Sequence, residues 1–127
     1  MYSIGMEEEY FVFDARTRRA VRHADKKFMT LARRRLGNQV TTEMLQSQIE
    51  VVTPPCASMR EVRDHLAHYR RSLGEIAHER KLGIAAMGTF PLAFWPEQAV
   101  TRKARYAPIM DDLQMIGHRN MLCGMHV

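Results

Sequence analysis

Three adjacent acids, Glu7-Glu8-Glu9, sit inside the run Ser3-Ile4-Gly5-Met6-Glu7-Glu8-Glu9-Tyr10-Phe11-Val12-Phe13-Asp14. The aromatic and β-branched residues that follow the acids favour a strand, and Asp14 suits its end. Side chains alternate across a strand. Glu7 and Glu9 therefore share one face with Phe11 and Phe13, while Glu8 shares the other with Met6 and Tyr10. Neighbouring carboxylates repel each other, and burial raises the cost of the charged forms. A divalent cation, a basic neighbour or a cationic substrate could supply the missing positive charge. The plainer alternative is a sheet face that is solvated or paired with the chain's many arginines.

Other chemistry-bearing residues are less pointed. His65 and His68 lie three apart on a helical pattern, without a third ligand nearby in sequence, and read as an exposed pair. His78 sits near a helix end, where a partial positive charge is favourable. The 2 cysteines, Cys56 and Cys123, show no metal-ligand spacing, which suits a reduced, cytosolic setting. The net charge of +5 comes largely from Arg16 to Arg22, Arg33-Arg34-Arg35, Arg70-Arg71 and Arg102 to Arg105. No aromatic residues interleave with these clusters, so they read as solvated surface or as attraction to a phosphate-bearing small ligand. Nucleic-acid binding would rest on charge alone and is not expected. No apolar run approaches the roughly 20 residues of a membrane span, and acids follow the N-terminus too soon for a signal peptide.

The elements that must position these groups follow from pattern. At 127 residues with 46% hydrophobic content, the chain suits one domain, 1–127, with a real core. After the first strand come a polar turn, Ala15 to Arg19, and a short return strand, Ala20 to Ala24. Asp25 can cap a helix bearing Phe28, Met29, Ala32 and Leu36, which Gly37-Asn38 ends. Thr41 to Thr53 reads as one long strand stopped by Pro54-Pro55. On that reading Glu43, Leu45, Ser47, Ile49 and Val51 share a face, and Gln46, Gln48 and Glu50 lie on the other. Ser58 and Glu61 form a capping box for a helix whose stripe is Met59, Val62, Leu66, Tyr69, Leu73 and Ile76. A third strand spans Gly83 to Phe90, and Pro91 to Pro96 is an apolar turn. Arg102 to Tyr106 is loop, and Pro108 opens a helix carrying Ile109, Leu113 and Ile116. Met121 to Val127 is a fourth strand that meets the end of the chain with no turn or cap.

These blocks resemble a family. Gly5-Met6-Glu7-Glu8-Glu9-Tyr10 is similar to the opening of the carboxylate–amine ligases related to glutamate–cysteine ligase. Thr42 to Pro54 resembles that family's second acidic strand. Ala85-Ala86-Met87-Gly88-Thr89-x-Pro91 and Cys123-Gly124-Met125-His126-Val127 look like its third and fourth segments. The four occur in the family's order and cover essentially the whole chain. One departure is Phe90, where the family usually carries histidine.

The resemblance implies an α+β fold like glutamine synthetase, a mostly antiparallel curved sheet with helices packed on one face. It implies Mg²⁺- and ATP-dependent joining of a glutamate γ-carboxylate to an amine, typically cysteine, through an acyl phosphate, as in glutathione biosynthesis. By motif position, Glu7, Glu9 and Glu50 are the implied metal ligands. Gln48 falls at a substrate position, Glu43 at an acidic position near the substrate or a metal, and both are assigned to substrate binding; His126 lies near the metals and nucleotide. Glu8 should face away. The family continues beyond the histidine strand, so the chain is expected to be an N-terminal portion, truncated and catalytically incomplete. The alternative is a non-catalytic module that binds Mg²⁺ or nucleotide weakly, or a homodimer that pairs its terminal strands.

Overall fold

The computed structural model describes residues 2–101 and 121–127. The expected Arg102 to Tyr106 loop and the helix from Pro108 lie outside the described residues. Strand β1 (Glu7–Asp14) sits at the centre of an antiparallel sheet. One edge pairs with β3 (Gln48–Val52), which in turn pairs with β2 (Val40–Thr42). The other edge is shared end to end. β4 (Leu82–Ala85) takes Phe11 to Asp14, and β5 (Met125–His126) takes Glu7 and Glu8. Since Glu7 and Glu8 also pair with Val52 and Val51, β5 must lie on the edge opposite β3.

Two helices cover one face. α1 (Lys26–Leu36) is capped by Asp25, whose carboxylate accepts from the Lys27 amide. It ends at Gly37, where φ is +62°, a conformation glycine adopts without a Cβ penalty. Arg33, Arg34 and Arg35 occupy its last turn, where cations complement the helix dipole. α2 (Met59–Glu79) is capped by Ser58, and the Glu61 carboxylate reaches back to the Ala57 amide. Phe28, Ala32, Val62, Leu73 and Ile76 from the helices pack on Tyr10, Val12, Ile49 and Val51 from the sheet. Fully burying one such aliphatic or aromatic side chain contributes roughly 1.5–3 kcal/mol. Two ion pairs tie α1 to α2: Arg35–Glu75 at 2.7 Å, and Arg80 with the capping residue Asp25.

The expected α+β architecture is met, an antiparallel sheet with helices on one face. Several boundaries differ. Thr41 to Thr53 is not one strand but a hairpin, in which Gln48 N–H donates to Leu45 O and Glu43 N–H to Gln48 O. Residues 43–47 are held from outside the hairpin. Val12 N–H donates to Ser47 O, Ala24 N–H to Gln46 O and Gln46 N–H to Ala99 O. The return strand at Ala20 to Ala24 reduces to a single bridge, Ala20 with Phe13. The third strand stops at Ala85, short of the glycine-containing segment 86–88. The fourth is only Met125–His126, preceded by a bridge between Leu122 and Thr89.

Candidate metal site on the open face of the sheet

The hairpin decides the geometry of the acids. Glu9 on β1 lies directly opposite Glu50 on β3, and Glu50 lies opposite Thr41 on β2. Glu43 stands two residues beyond Thr41. Glu9, Glu43 and Glu50 offer carboxylate oxygens that all lie within 4.8 Å of one another. The single-strand reading had put Glu43 and Glu50 on opposite faces. The turn at 43–47 folds Glu43 back over β3 and removes that separation. Among the described residues this is the group of acids and histidines able to hold a metal ion.

Glu9 is held on both its backbone and its side chain. Its backbone N–H donates to Gly124 O at 3.1 Å, and its carboxylate accepts from Gly124 N–H at 2.8 Å. Burial raises its pKa above the ordinary carboxylate value, and the charges of Glu43 and Glu7 add to the rise. The Gly124 amide and His126 oppose it. A cation among the three oxygens would reverse the sign of this field. Three carboxylate oxygens with neither sulfur nor nitrogen suit a hard divalent ion such as Mg²⁺.

Glu7 stands apart from that group. It faces His126 across the β1–β5 pairing, with Nδ1 and Oε2 3.7 Å apart. The two border an open cavity of about 350 Å³ with Val52 and Val127. The expected metal ligands thus fall in two places, Glu9 and Glu50 with Glu43 in one, Glu7 with His126 in the other.

Gln48, expected at a substrate position, is buried. Its side-chain amide donates to Leu122 O at 2.7 Å and to Cys123 Sγ at 3.4 Å. Burial pushes the Cys123 thiol up to about 12, and Glu9 and Glu43 add to the shift. Phe90, at the position usually histidine in the resembling family, is buried against Phe11 and Phe13, with ring centroids 5.3 and 5.9 Å away. His65 and His68 lie on α2, beside Glu61 and Asp64 and away from the acids of the sheet.

Arg70 is the residue that sequence reasoning missed. Glu8 is only 1% exposed on the helix side of β1. Its carboxylate accepts from Arg70 Nε at 2.9 Å, from a second Arg70 nitrogen, and from the Tyr10 hydroxyl. Burial, and then Glu8, push the Tyr10 phenol well above its ordinary range, which keeps it a donor. A signal for Arg70 existed. Glu8 shares its strand face with Met6 and Tyr10, so a cation from the covering helix was required. A cavity of about 260 Å³ opens beside this pair, between the segment 86–88 and residues 123–125, and touches Glu9.

The fold is shared with known ligases. A crystal structure of glutamate–cysteine ligase from Francisella tularensis in complex with AMP superposes with a TM-score of 0.73 at 11% identity, over 95% of this chain and 25% of that one. A bifunctional glutathione synthetase from Pasteurella multocida gives 0.70 at 19% identity, over 97% and 16%. The profile of glutamate–cysteine ligase family 2 matches residues 3–127, and the chain belongs to that family. A Bradyrhizobium sp. (strain BTAi1) protein named "Putative glutamate--cysteine ligase 2" is 46% identical over 99% of this chain and 31% of its own length. One of the same name from Ectopseudomonas mendocina is 40% identical over 98% and 33%. The chain therefore spans about a third of the curated relatives it matches.

Proposed function

We propose that this chain supplies the carboxylate wall of an ATP-dependent carboxylate–amine ligase that joins the γ-carboxylate of glutamate to an amine, with cysteine the amine expected from the family. The observation that carries this reading is the convergence of Glu9, Glu43 and Glu50 within 4.8 Å. Mg²⁺ bound there would screen the phosphate charges of ATP. The chain's own part is to hold those oxygens in place: Glu9 through the Gly124 amide, Glu50 through its strand register, Glu43 through the hairpin. Glu7 and His126 form a second, adjacent cation- or nucleotide-facing pair. The Francisella neighbour is a complex with AMP, in keeping with nucleotide use by the whole enzyme.

Because the chain covers about a third of its relatives, we assign the remaining phosphate- and substrate-binding groups to residues outside it. Both cysteines are free, in keeping with a reduced, cytosolic setting. A homodimer through the outer edge of β5 is a subsidiary reading, in keeping with the exposure of Met125. Sedimentation showing only monomer at high concentration would remove it.

Two assays on the 127-residue chain test the main reading. Mn²⁺ titration followed by electron paramagnetic resonance should show binding that Glu50→Gln abolishes; no binding would overturn the metal site. ADP release with glutamate, cysteine and Mg·ATP should stay at background. Turnover would overturn the division of the active site between this chain and residues beyond it.

A further inference from the structure

Gln48 lies on β3, yet its side chain bonds a segment on the far side of β1. β3 and β5 flank opposite edges of β1, and Leu122 and Cys123 lead into β5. The Gln48 amide donates to Leu122 O at 2.7 Å, on the side of the sheet where Phe90 packs on Phe11, the register partner of Gln48. A hydrogen-bonding side chain that is 2% exposed and joins β3 to the segment before β5 is not placed there for solubility. The segment it holds is the one that reaches Glu9. Two residues beyond Leu122, Gly124 gives its N–H to the Glu9 carboxylate and takes the Glu9 N–H on its own carbonyl. A Cβ at Gly124 would lie 2.9 Å from the His126 ring, so that exposed imidazole would have to turn aside. Further anchoring comes from Cys123 N–H to Gly88 O at 3.3 Å and from the bridge between Thr89 and Leu122.

We propose that Gln48 is a positioning residue for the metal site. It straps residues 122–124 across β1, so that the Gly124 amide fixes one oxygen of Glu9 and leaves the other for the cation. Partners of metal ligands commonly act in this way, and their loss typically weakens binding about 10–100-fold. The proposal rests on the reading of Glu9 as a ligand. It gives Gln48 a role toward the metal rather than toward the substrate.

The test is Gln48→Met, which keeps length and packing but removes the donor. Mn²⁺ titration of the chain should show affinity lowered about tenfold. In a Glu9→Gln background the same change should add nothing, because Gln48 acts through Glu9; a general loss of structure would add in both backgrounds. A second readout needs no metal. Exchange of the Gly124 amide proton should be slow in the native chain and faster in Gln48→Met. Unchanged Gly124 protection overturns the strap, whatever the metal result. Absence of Mn²⁺ binding with changed protection overturns the metal reading and leaves the strap as a fold element. If Gln48→Met does not fold, the native chain decides. A scalar coupling across the hydrogen bond from the Gln48 amide to the Leu122 carbonyl supports the strap, and its absence overturns it.

Discussion

Glu8 and Arg70 meet on the side of β1 opposite Glu7 and Glu9, joining the central strand to the middle of α2. The carboxylate is almost wholly buried, while the guanidinium is half exposed. Consecutive residues thus point their charges to opposite faces: Glu8 is paired with Arg70, while Glu7 faces His126 and Glu9 lies among Glu43 and Glu50.

Removing Arg70 would strand Glu8 in the core. Arg70→Met should lower stability by on the order of 3 kcal/mol in urea unfolding. The double variant Glu8→Gln/Arg70→Met should recover part of that loss, because no uncompensated charge remains. A loss below about 0.5 kcal/mol for Arg70→Met would mean that Glu8 finds another partner.

Clustered acids destabilise the metal-free fold and are stabilised by a cation. Millimolar Mg²⁺ or Mn²⁺ should raise the Tm of the chain, by linkage to binding of the folded form alone. Glu43→Gln should raise the metal-free Tm slightly and blunt the response to metal. A variant that responds as fully as the native chain would exclude Glu43 from the site.

The pH dependence separates the acids by sign. Asp25 is held below its ordinary value of 3.8 by its hydrogen bond from Arg80, and Asp14 by the Thr17 amide. Their stabilising effect is present above 3.8 and lost as pH falls through the lowered folded values. Glu9 is raised above 4.5, so its contribution favours the fold below 4.5 and is lost as pH rises through the folded value. In metal-free buffer, Glu9→Gln should erase the loss above 4.5 and keep the acid limb below 3.8. Thermal melts across the acid range check this; an unchanged upper limb would show that Glu9 carries no such strain.

The aromatic cluster at the other end of β1 should be intolerant of small changes. Gly83 lies opposite Phe13, and a Cβ at Gly83 would sit 2.2 Å from the Phe13 ring. Gly83→Ala should cost about 1–3 kcal/mol by overpacking, and Phe90→Ala about 3 kcal/mol by leaving a cavity. Gly83→Ala should leave Mn²⁺ affinity unaltered, since Gly83 pairs with Phe13, four residues along β1 from Glu9. A matching loss of affinity would show that the cluster braces the site.

Much of this was legible from residue order. Alternation placed Glu7 and Glu9 apart from Glu8, and both helices could be read from their caps and stripes. The hairpin at 43–47 was not legible, because the stretch holds neither glycine nor proline. It turns because Val12, Ala24 and Ala99 bond its backbone, contacts from three distant parts of the chain. Missing that turn misplaced Glu43. Gln48 illustrates a different limit. Its partner Leu122 is 74 residues away, and nothing local distinguishes a strap from a substrate-facing amide.

The central position of β1 bears on how the chain is made. The strand is synthesised before all of its partners, residues 48–52, 82–85 and 125–126. Until those segments leave the ribosome, Tyr10-Phe11-Val12-Phe13 has two unpaired edges and no covering helix. Such a segment is prone to pair with another nascent chain. The three glutamates beside it carry like charge that keeps copies apart. The glutamates that the folded sheet divides between its two faces would then also guard this strand against self-association before its partners arrive.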